Sequence, residues 1–194
     1  MESRTKEELL FDSNTQKRLI SNCRKNLNNY QHSSKWRIFM NKFATLEIKL
    51  PIDLFSCKHC NEDVQGYYFY KSKNIVLCSN NIMDEEFDNQ ATQYMIMAYD
   101  DARADIDPTN PLHIACTTIR GINLSGVCRN KNQTRAFKTD CSNIDCIREK
   151  SIQRLMRTFR LKKDVAEDYV HEVWDSCFYQ HDPFTSKDFS NLNY

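Results

Sequence analysis

The sequence predicts an α+β fold, a small hairpin or sheet combined with several helices and held together by disulfide bonds. Aromatic and β-branched runs around a polar turn indicate the hairpin, and long stretches without glycine or proline indicate the helices. Nine cysteines in 194 residues indicate the disulfides. We expect one domain over residues 1–194, with loose termini at 1–20 and 185–194.

The first half of the chain is predicted to form a helix, a loop and a hairpin, in that order. Residues 6–29 mix apolar and charged side chains without Gly or Pro, which is typical of a helix. Residues 50–64 contain Pro51 and a pair of cysteines and are predicted to be a loop. Residues 67–70 and 75–78 are aromatic or β-branched runs on either side of a polar turn, so they predict a β-hairpin.

The second half is predicted to be mainly helical. A helix of about six turns is expected over residues 84–106, with acidic residues in its first turns, where the helix dipole favours them, and a proline just beyond its end. A short helix over 112–120 follows and ends at Gly121. Residues 129–143 are polar and predicted to be a loop. The apolar periodicity of residues 162–178 predicts an amphipathic helix.

Charge balance and hydropathy argue against two classes of protein. The 27 basic and 26 acidic residues leave a net charge of +1, which gives no reason to expect a nucleic-acid partner. The longest apolar run covers residues 94–99, whereas a membrane-spanning helix needs about 20 residues. The N-terminus is charged, so it resembles neither a secretory signal nor a typical transit peptide. We therefore expect no membrane-spanning segment.

Cysteine spacing leaves two explanations open, a disulfide framework and a zinc site. The CxxC pair of Cys57 and Cys60 has no second CxxC or HxxxH downstream to complete a zinc ribbon, so disulfides are favoured. Stable disulfides imply an oxidising compartment. The mitochondrial intermembrane space is such a compartment, and it can be reached without a visible signal peptide. The odd number of cysteines leaves at least one unpaired within the chain, or paired between chains.

Several segments in a fixed order resemble one family of proteases. They are residues 57–60, 74–81, 100–107, 113–128 and 173–184. This set is similar to the mitochondrial inner membrane metalloproteases that mature the mitochondrially encoded ATP synthase a subunit, whose animal members are also named Ku-binding proteins. The resemblance covers roughly residues 20–190. It implies a zincin-like fold, in which a small sheet packs on a central active-site helix, and it implies zinc as the cofactor.

The resemblance breaks down at the metal-binding motif itself. The family pattern is Thr-His-Glu-Leu-Ile-His-Ala-Phe-Asp, and residues 92–100 of this chain read Thr-Gln-Tyr-Met-Ile-Met-Ala-Tyr-Asp. The ligand-equivalent positions are therefore Gln93 and Met97, and the base-equivalent position is Tyr94. Positions 93, 97, 100, 104 and 107 would share one face of a continuous helix. The resemblance implies an aspartate on this face as the third ligand, so Asp107 is the retained candidate, and Asp100 lies on the same face.

These replacements predict the loss of the zinc centre. An amide oxygen is a poor zinc ligand, a thioether suits Cu(I) better than Zn²⁺, and a phenol with a pKa of about 10 is no substitute for a carboxylate base. We expect no bound metal and no intact catalytic residue. Met95 and Met97 are expected to be core residues. The acidic residues of this segment are expected to form a solvated or ion-paired face: Asp100, Asp101, Asp105 and Asp107.

Other histidines and cysteines have structural interpretations. His113 is predicted to be a buried hydrogen-bonding residue, and His171 and His181 are predicted to lie on the surface. The disulfide candidates are the cysteines at family-like positions: Cys57, Cys60, Cys78, Cys116, Cys128, Cys146 and Cys177. Cys23 is expected to have a counterpart in the family as well, and Cys141 has no obvious one. Spacing alone does not assign their partners.

Two functions follow from the resemblance and its broken motif. The first is a proteolytically inactive homologue that keeps the substrate-binding fold. It would assist assembly of the ATP synthase membrane sector by binding a membrane-sector subunit or its assembly intermediates, or it would regulate an active enzyme, in the intermembrane space and peripheral to the inner membrane. The second is an active metalloendopeptidase with a remodelled metal site. A nuclear binding protein is a weaker third hypothesis, because nuclear thiols stay reduced.

Overall fold

The computed structural model describes residues 6–129, 141–185 and 187–188. Helices and a small three-stranded sheet make up this part of the chain, so the α+β prediction is confirmed. The elements are α1 (Lys6–Gln31), α2 (Ser34–Thr45), β1 (Phe55–Lys58), β2 (Gly66–Phe69), β3 (Asn74–Cys78), a 3₁₀ turn (Asp84–Glu86), α3 (Phe87–Ala104), α4 (Pro111–Ser125), α5 (Cys141–Phe159) and α6 (Lys163–Phe178). None of the helices described is long and apolar enough to cross a membrane.

The sheet has the strand order β1-β3-β2. The predicted hairpin is confirmed, because β2 and β3 pair antiparallel with Tyr68 opposite Ile75. Strand β1 runs parallel to β3, with Phe55 also opposite Ile75, so the prediction of a loop over residues 50–64 was wrong for this part. The four residues of β1 show little strand character by themselves, and a partner strand far along the chain supplies the pairing.

Two of the predicted helices have different ends in the structure. The helix predicted over 84–106 begins as a 3₁₀ turn and continues as α3 only to Ala104, because Asp105 takes a left-handed conformation (φ 48°) and ends it. Helix α4 runs past Gly121 to Ser125 and is capped by Gly126 (φ 81°). Gly121 is therefore a packing residue rather than a helix end, as its contacts with α3 show below.

Helices α2 and α5 were not predicted from the sequence. In addition, some sequence predictions fall outside the described residues. Ser33 Oγ accepts a hydrogen bond from the Trp36 N–H (3.2 Å) and starts α2. Of the loop predicted over 129–143, residues 130–140 are not described, and 141–143 form the first turn of α5. Of the termini expected to be loose, residues 6–20 belong to α1, whereas 1–5, 186 and 189–194 are not described.

The core consists of two main clusters of buried side chains with α3 and α4 between them. The first lies among α1, α2, the sheet and α3, and it includes Met95 and Met97, as predicted. The second lies among α4, α5 and α6, with Ile119, Leu155 and Val170 at its centre. Since α4 packs against α3, α5 and α6, it joins the two clusters into one structure.

Four disulfide bonds connect these layers, which confirms the predicted framework. They join Cys23 to Cys57, Cys60 to Cys78, Cys116 to Cys177, and Cys128 to Cys146. All seven candidates are bonded, and Cys23 is the eighth partner. The first bond ties α1 to β1, and the third ties α4 to α6. Cys141 begins α5, and its side chain is outside the described residues.

We predict that removing the disulfide between Cys116 and Cys177, with both residues changed to Ala, lowers the free energy of unfolding by about 4 kcal/mol, because it frees a long loop in the unfolded chain. The two residues are 61 positions apart. Urea denaturation of the oxidised protein provides the measurement. The matched control removes Cys60–Cys78, which closes a span of 18, and should cost about 3 kcal/mol. A larger loss in the control would contradict the expectation.

Candidate functional site

The three positions that correspond to a zinc-protease motif lie together at a cavity of about 650 Å³. Gln93, Tyr94 and Met97 line it from α3, and side chains of α4 line it beside them. The segment before β2, Tyr67 of β2 and one face of α5 form the rest of the wall. The sequence thus located the position of the cavity correctly, although not the residues that complete it.

Tyr94, at the base-equivalent position, has a structural role. Its side chain is only 4% exposed, and its hydroxyl donates a hydrogen bond to the Gly66 carbonyl oxygen at 2.7 Å. Burial raises the pKa of Tyr94 to about 12, against a smaller opposing effect of the Arg154 charge. The phenol is therefore neutral near pH 7 and acts as a donor that ties α3 to β2. It is not a general base.

The ligand-equivalent residues pack closely against α4. A Cβ atom added to Gly121 would lie 3.2 Å from the Gln93 carbonyl oxygen and 3.6 Å from Met97 Cγ. Glycine at this position therefore lets the two helices approach, which explains why Gly121 does not end α4. Met97 is buried and Gln93 is half-buried. The thioether belongs to the apolar core, and the amide stands at the edge of the cavity.

Asp100 is held in a buried ion pair. Arg120 Nε lies 3.0 and 2.9 Å from its two carboxylate oxygens, and Thr117 Oγ1 donates to it at 3.1 Å. Asp100 and Arg120 are 2% and 1% exposed. Burial raises the pKa of the Asp100 carboxyl, and the Arg120 guanidinium opposes that rise. Arg103 Nη2 lies farther away, 3.7 Å from Asp100 Oδ1.

Arg120 extends this pair to the C-terminal segment of the fold. Its guanidinium also donates to the Gln180 carbonyl oxygen at 2.9 Å and to the Asp182 carbonyl oxygen. The Asp182 side chain in turn accepts hydrogen bonds from Lys42 (3.0 Å) and Tyr99. Sequence reasoning missed Arg120. The available signal was an arginine among the apolar residues of a helix, since a buried cation needs a partner.

The remaining acidic residues divide into one that is buried and two that are exposed. Asp101 accepts hydrogen bonds from the Tyr68 hydroxyl (2.5 Å) and from Lys73 Nζ (2.7 Å), which ties α3 to the hairpin. Asp105 and Asp107 are exposed. The predicted ion-paired or solvated face is therefore ion-paired at Asp100 and Asp101 and solvated beyond α3.

Asp107 does not share a helix face with Gln93 and Met97, so that prediction was wrong. The helix has ended before it, and its carboxylate accepts hydrogen bonds from the Thr109 N–H (2.8 Å) and hydroxyl (2.7 Å). These bonds lower the pKa of the Asp107 carboxyl. The Asp107 N–H donates to His113 Nδ1 at 3.1 Å. His113 is hydrogen-bonded as predicted, but half-buried. His171 and His181 are exposed, as predicted.

The residues at the motif do not suit zinc. A neutral amide, a thioether and a protonated phenol replace the imidazole and carboxylate donors that Zn²⁺ requires. Among the described residues, no group of three or more His, Cys, Asp or Glu side chains is arranged to hold a metal ion. Of the two acidic candidates, Asp100 has both oxygens bound to Arg120, and Asp107 lies in a separate turn.

Comparison with known proteins agrees with the motifs along the chain. The pattern of the peptidase M76 family matches residues 21–185. This chain belongs to that family. A mitochondrial inner membrane protease ATP23 homolog of Xenopus laevis is 37% identical over 134 residues, which cover 67% of this chain and 57% of the relative. The human homolog has the same identity and covers 67% of this chain and 54% of itself.

A more distant relative extends the match within the M76 family. The mitochondrial inner membrane protease ATP23 of Meyerozyma guilliermondii is 30% identical over 162 residues, which cover 80% of this chain and 66% of the relative. The chain thus spans little more than half the length of the Xenopus and human relatives. No solved structure matches this M76 member.

We predict that Tyr94→Phe lowers the free energy of unfolding by about 1 to 3 kcal/mol, because it leaves the Gly66 carbonyl oxygen without its donor. Urea denaturation measures the change. Tyr179→Phe is the matched control, since that side chain is 66% exposed, and it should leave stability unchanged. Equal stability of the Tyr94 variant and the wild type would show that the hydrogen bond does not contribute to the free energy of unfolding.

Arg120→Met should be the more severe change. It leaves the Asp100 carboxylate buried without its partner, and we expect a loss of about 3 to 5 kcal/mol of unfolding free energy. The double variant Asp100→Asn with Arg120→Met removes both charges and should recover part of the loss. A double-mutant cycle by denaturation measures the coupling. Strict additivity of the two single changes would refute the ion pair as an interacting unit.

Proposed function

We propose that this M76 member is a non-catalytic homologue of the family's proteases that retains a polypeptide-binding cleft. The observation that carries the proposal is the environment of Tyr94. Water activation needs an acceptor with a pKa near the working pH, but the Tyr94 hydroxyl is a buried donor to Gly66. Gln93 and Met97 beside it offer no imidazole or carboxylate for a zinc ion. The chemistry of hydrolysis is therefore lost while the cavity is kept.

The edge of β2 supports the binding part of the proposal. The Gln65 and Phe69 carbonyl oxygens accept hydrogen bonds from the Cys78 and Lys73 N–H groups (2.9 and 2.7 Å). Because backbone groups alternate in direction along an antiparallel strand, those of Gly66 and Tyr68 point away from β3. The Gly66 carbonyl oxygen on this side already accepts the Tyr94 hydroxyl, so a partner strand would share that oxygen and pair with Tyr68. In the part of the chain that is described, β2 is an edge strand with no strand on this side.

An extended polypeptide fits this edge. Gln65 and Tyr67 both line the cavity, so a chain that pairs with β2 would lie over Gln93 and Met97. Addition of a strand to an exposed sheet edge is a common mode of peptide recognition, in which the backbone gives affinity and the side-chain pockets give selectivity. The proposal includes that this edge strand over α3 is a zincin-like arrangement that no longer binds a metal.

The proposed setting is the mitochondrial intermembrane space, at the surface of the inner membrane. Two observations support it: the relatives are named mitochondrial inner membrane proteases, and four disulfides need an oxidising compartment to persist. The proposed client is a membrane-sector subunit of ATP synthase or an assembly intermediate that contains it. Holding such a segment, or competing for it with an active protease, requires binding and no hydrolysis.

We predict that the purified, oxidised protein holds far less than one zinc per chain after incubation with zinc and desalting, because the motif lacks suitable donors. Elemental analysis by mass spectrometry measures the metal, and a quenched fluorescent peptide library measures hydrolysis. Stoichiometric zinc together with chelator-sensitive cleavage would overturn the proposal in favour of an active metalloendopeptidase with a remodelled site.

The positive control restores the motif by the combined changes Gln93→His, Tyr94→Glu and Met97→His. This triple variant should bind zinc more tightly than the wild type, because it places two imidazoles one turn apart on the same helix face, with a glutamate as the general base. It also shows that the assay can detect metal at this position. Matched circular dichroism spectra and gel filtration profiles establish that the variant and the wild type share a fold.

A further inference from the structure

One wall of the cavity carries a row of cations from α5. Lys150, Arg154 and Arg157 all line it, and their spacing of four and three residues places them on one face of the helix. Arg157 Nη1 donates to the Asp63 carbonyl oxygen at 3.3 Å, which joins this wall to the segment before β2. Two acidic residues, Glu62 and Asp63, also line the cavity. The cations thus outnumber the anions.

Two polar atoms at this cavity have no hydrogen-bond partner. Arg154 Nε and Thr118 Oγ1 are both shielded from water, and neither is paired with another described residue. Thr118 is only 2% exposed and lines the cavity from α4. An unpaired buried donor costs free energy, and a charged one costs more. Arg154 as a whole is only half-buried and lines the cavity, so the rest of its guanidinium group is left to meet a ligand with acceptor oxygens.

Arg154 forms no salt bridge with any of the residues that the structure describes. Its positive charge is felt by the hydroxyls of three tyrosines, where it opposes the rise that burial causes in the pKa of Tyr67, Tyr70 and Tyr94. These phenols remain neutral near pH 7. Glu62, an anion at the same cavity, accepts a hydrogen bond from the Tyr67 hydroxyl at 2.9 Å.

We propose that this wall is a binding subsite for an acidic side chain of the polypeptide held on β2. The Arg154 guanidinium binds the carboxylate, and Lys150 and Arg157 attract it from either side. Guanidinium and carboxylate can form two parallel hydrogen bonds, a geometry that a lysine cannot supply. The inference rests on the proposed function, because it names the chemistry of the segment that the cleft selects.

A polypeptide is favoured over other anions by the surroundings of the cation row. The cavity is bordered by Gln65 and Tyr67 next to the β2 edge, which offers backbone pairing that lipid headgroups and nucleic acids cannot use. The whole chain has a net charge of only +1, which is not the broad positive surface that nucleic acids or anionic membranes require. The cavity itself is lined by three cations and two anions.

The test uses the oxidised full chain and fluorescent peptide libraries that are amidated at the C-terminus. Two libraries are identical except for Glu or Gln at fixed alternate positions, and a third is the Gln library with a free terminal carboxylate. Fluorescence anisotropy gives the apparent Kd of each. We expect the Glu library to bind about tenfold more tightly than the amidated Gln library, the ratio that about one charge-assisted hydrogen bond supplies.

Variants locate the preference within the cavity. Arg154→Gln should bring the ratio between the Kd values of the Glu and Gln libraries to about one, and taking the ratio within one variant cancels any general change in the cleft. Arg154→Lys should restore the ratio only in part, because it keeps the charge without the paired donors. Lys150→Gln, at an exposed position, should reduce the ratio less. Arg24→Gln is the matched control, since it makes the same change at an exposed position of α1 outside the cavity, and it should have no effect.

Each failure has its own signature. Equal binding of the Glu and Gln libraries overturns the acidic subsite while the polypeptide-binding cleft stands. Absence of binding by every library overturns the cleft and the subsite together. Tighter binding of the free-carboxylate library than of the Glu library assigns the cations to a chain terminus and overturns the side-chain assignment. An Arg154-dependent preference for anionic lipid vesicles over the Glu library overturns the polypeptide as the ligand.

Discussion

The buried pair of Asp100 and Arg120 is the interaction on which the arrangement of this molecule depends. Two charges removed from water are tolerated only when each is fully hydrogen-bonded. The pair meets that condition by drawing in Thr117 and two carbonyl groups of the C-terminal segment. It thereby fixes α4 against α3 at the level of the motif. The close approach of Gln93 to Gly121 lies beside that contact, one residue along α4.

Helix α3 carries both the positions that correspond to catalytic residues and residues that hold the fold together, and the two sets differ in their chemistry. Positions 93, 94 and 97 carry none of the chemistry of a zinc protease, whereas Asp100 is bonded to α4 and Asp101 Oδ2 to the hairpin. The distinction is physical. Replacing a metal ligand by a side chain that packs well costs little stability, but removing one partner of a buried ion pair leaves an uncompensated charge. The fold therefore tolerates the first kind of change and resists the second.

Local patterns along the chain predicted the hairpin, α6, the disulfides and the position of the motif. Contacts between distant residues were beyond such patterns. Strand β1 exists because β3 pairs with it, and Arg120 lies 20 positions from the aspartate that it binds. Asp107 was misplaced because Asp105 adopts a left-handed conformation, which is more typical of glycine or asparagine. The cation row of α5 lies between the loop predicted over 129–143 and the helix predicted over 162–178, where no element was predicted.

The hydrogen bond between Tyr94 and Gly66 has an evolutionary consequence. Because Tyr94 is hydrogen-bonded to β2, the single change Tyr94→Glu removes a structural donor and buries a carboxylate. No bound metal compensates for that loss of stability. Two histidines must also return before zinc can bind. Under the proposed function, the path back to a protease crosses sequences that are less stable and still lack a metal site. The proposed loss of catalysis is then hard to reverse, and selection acts on what the cleft binds.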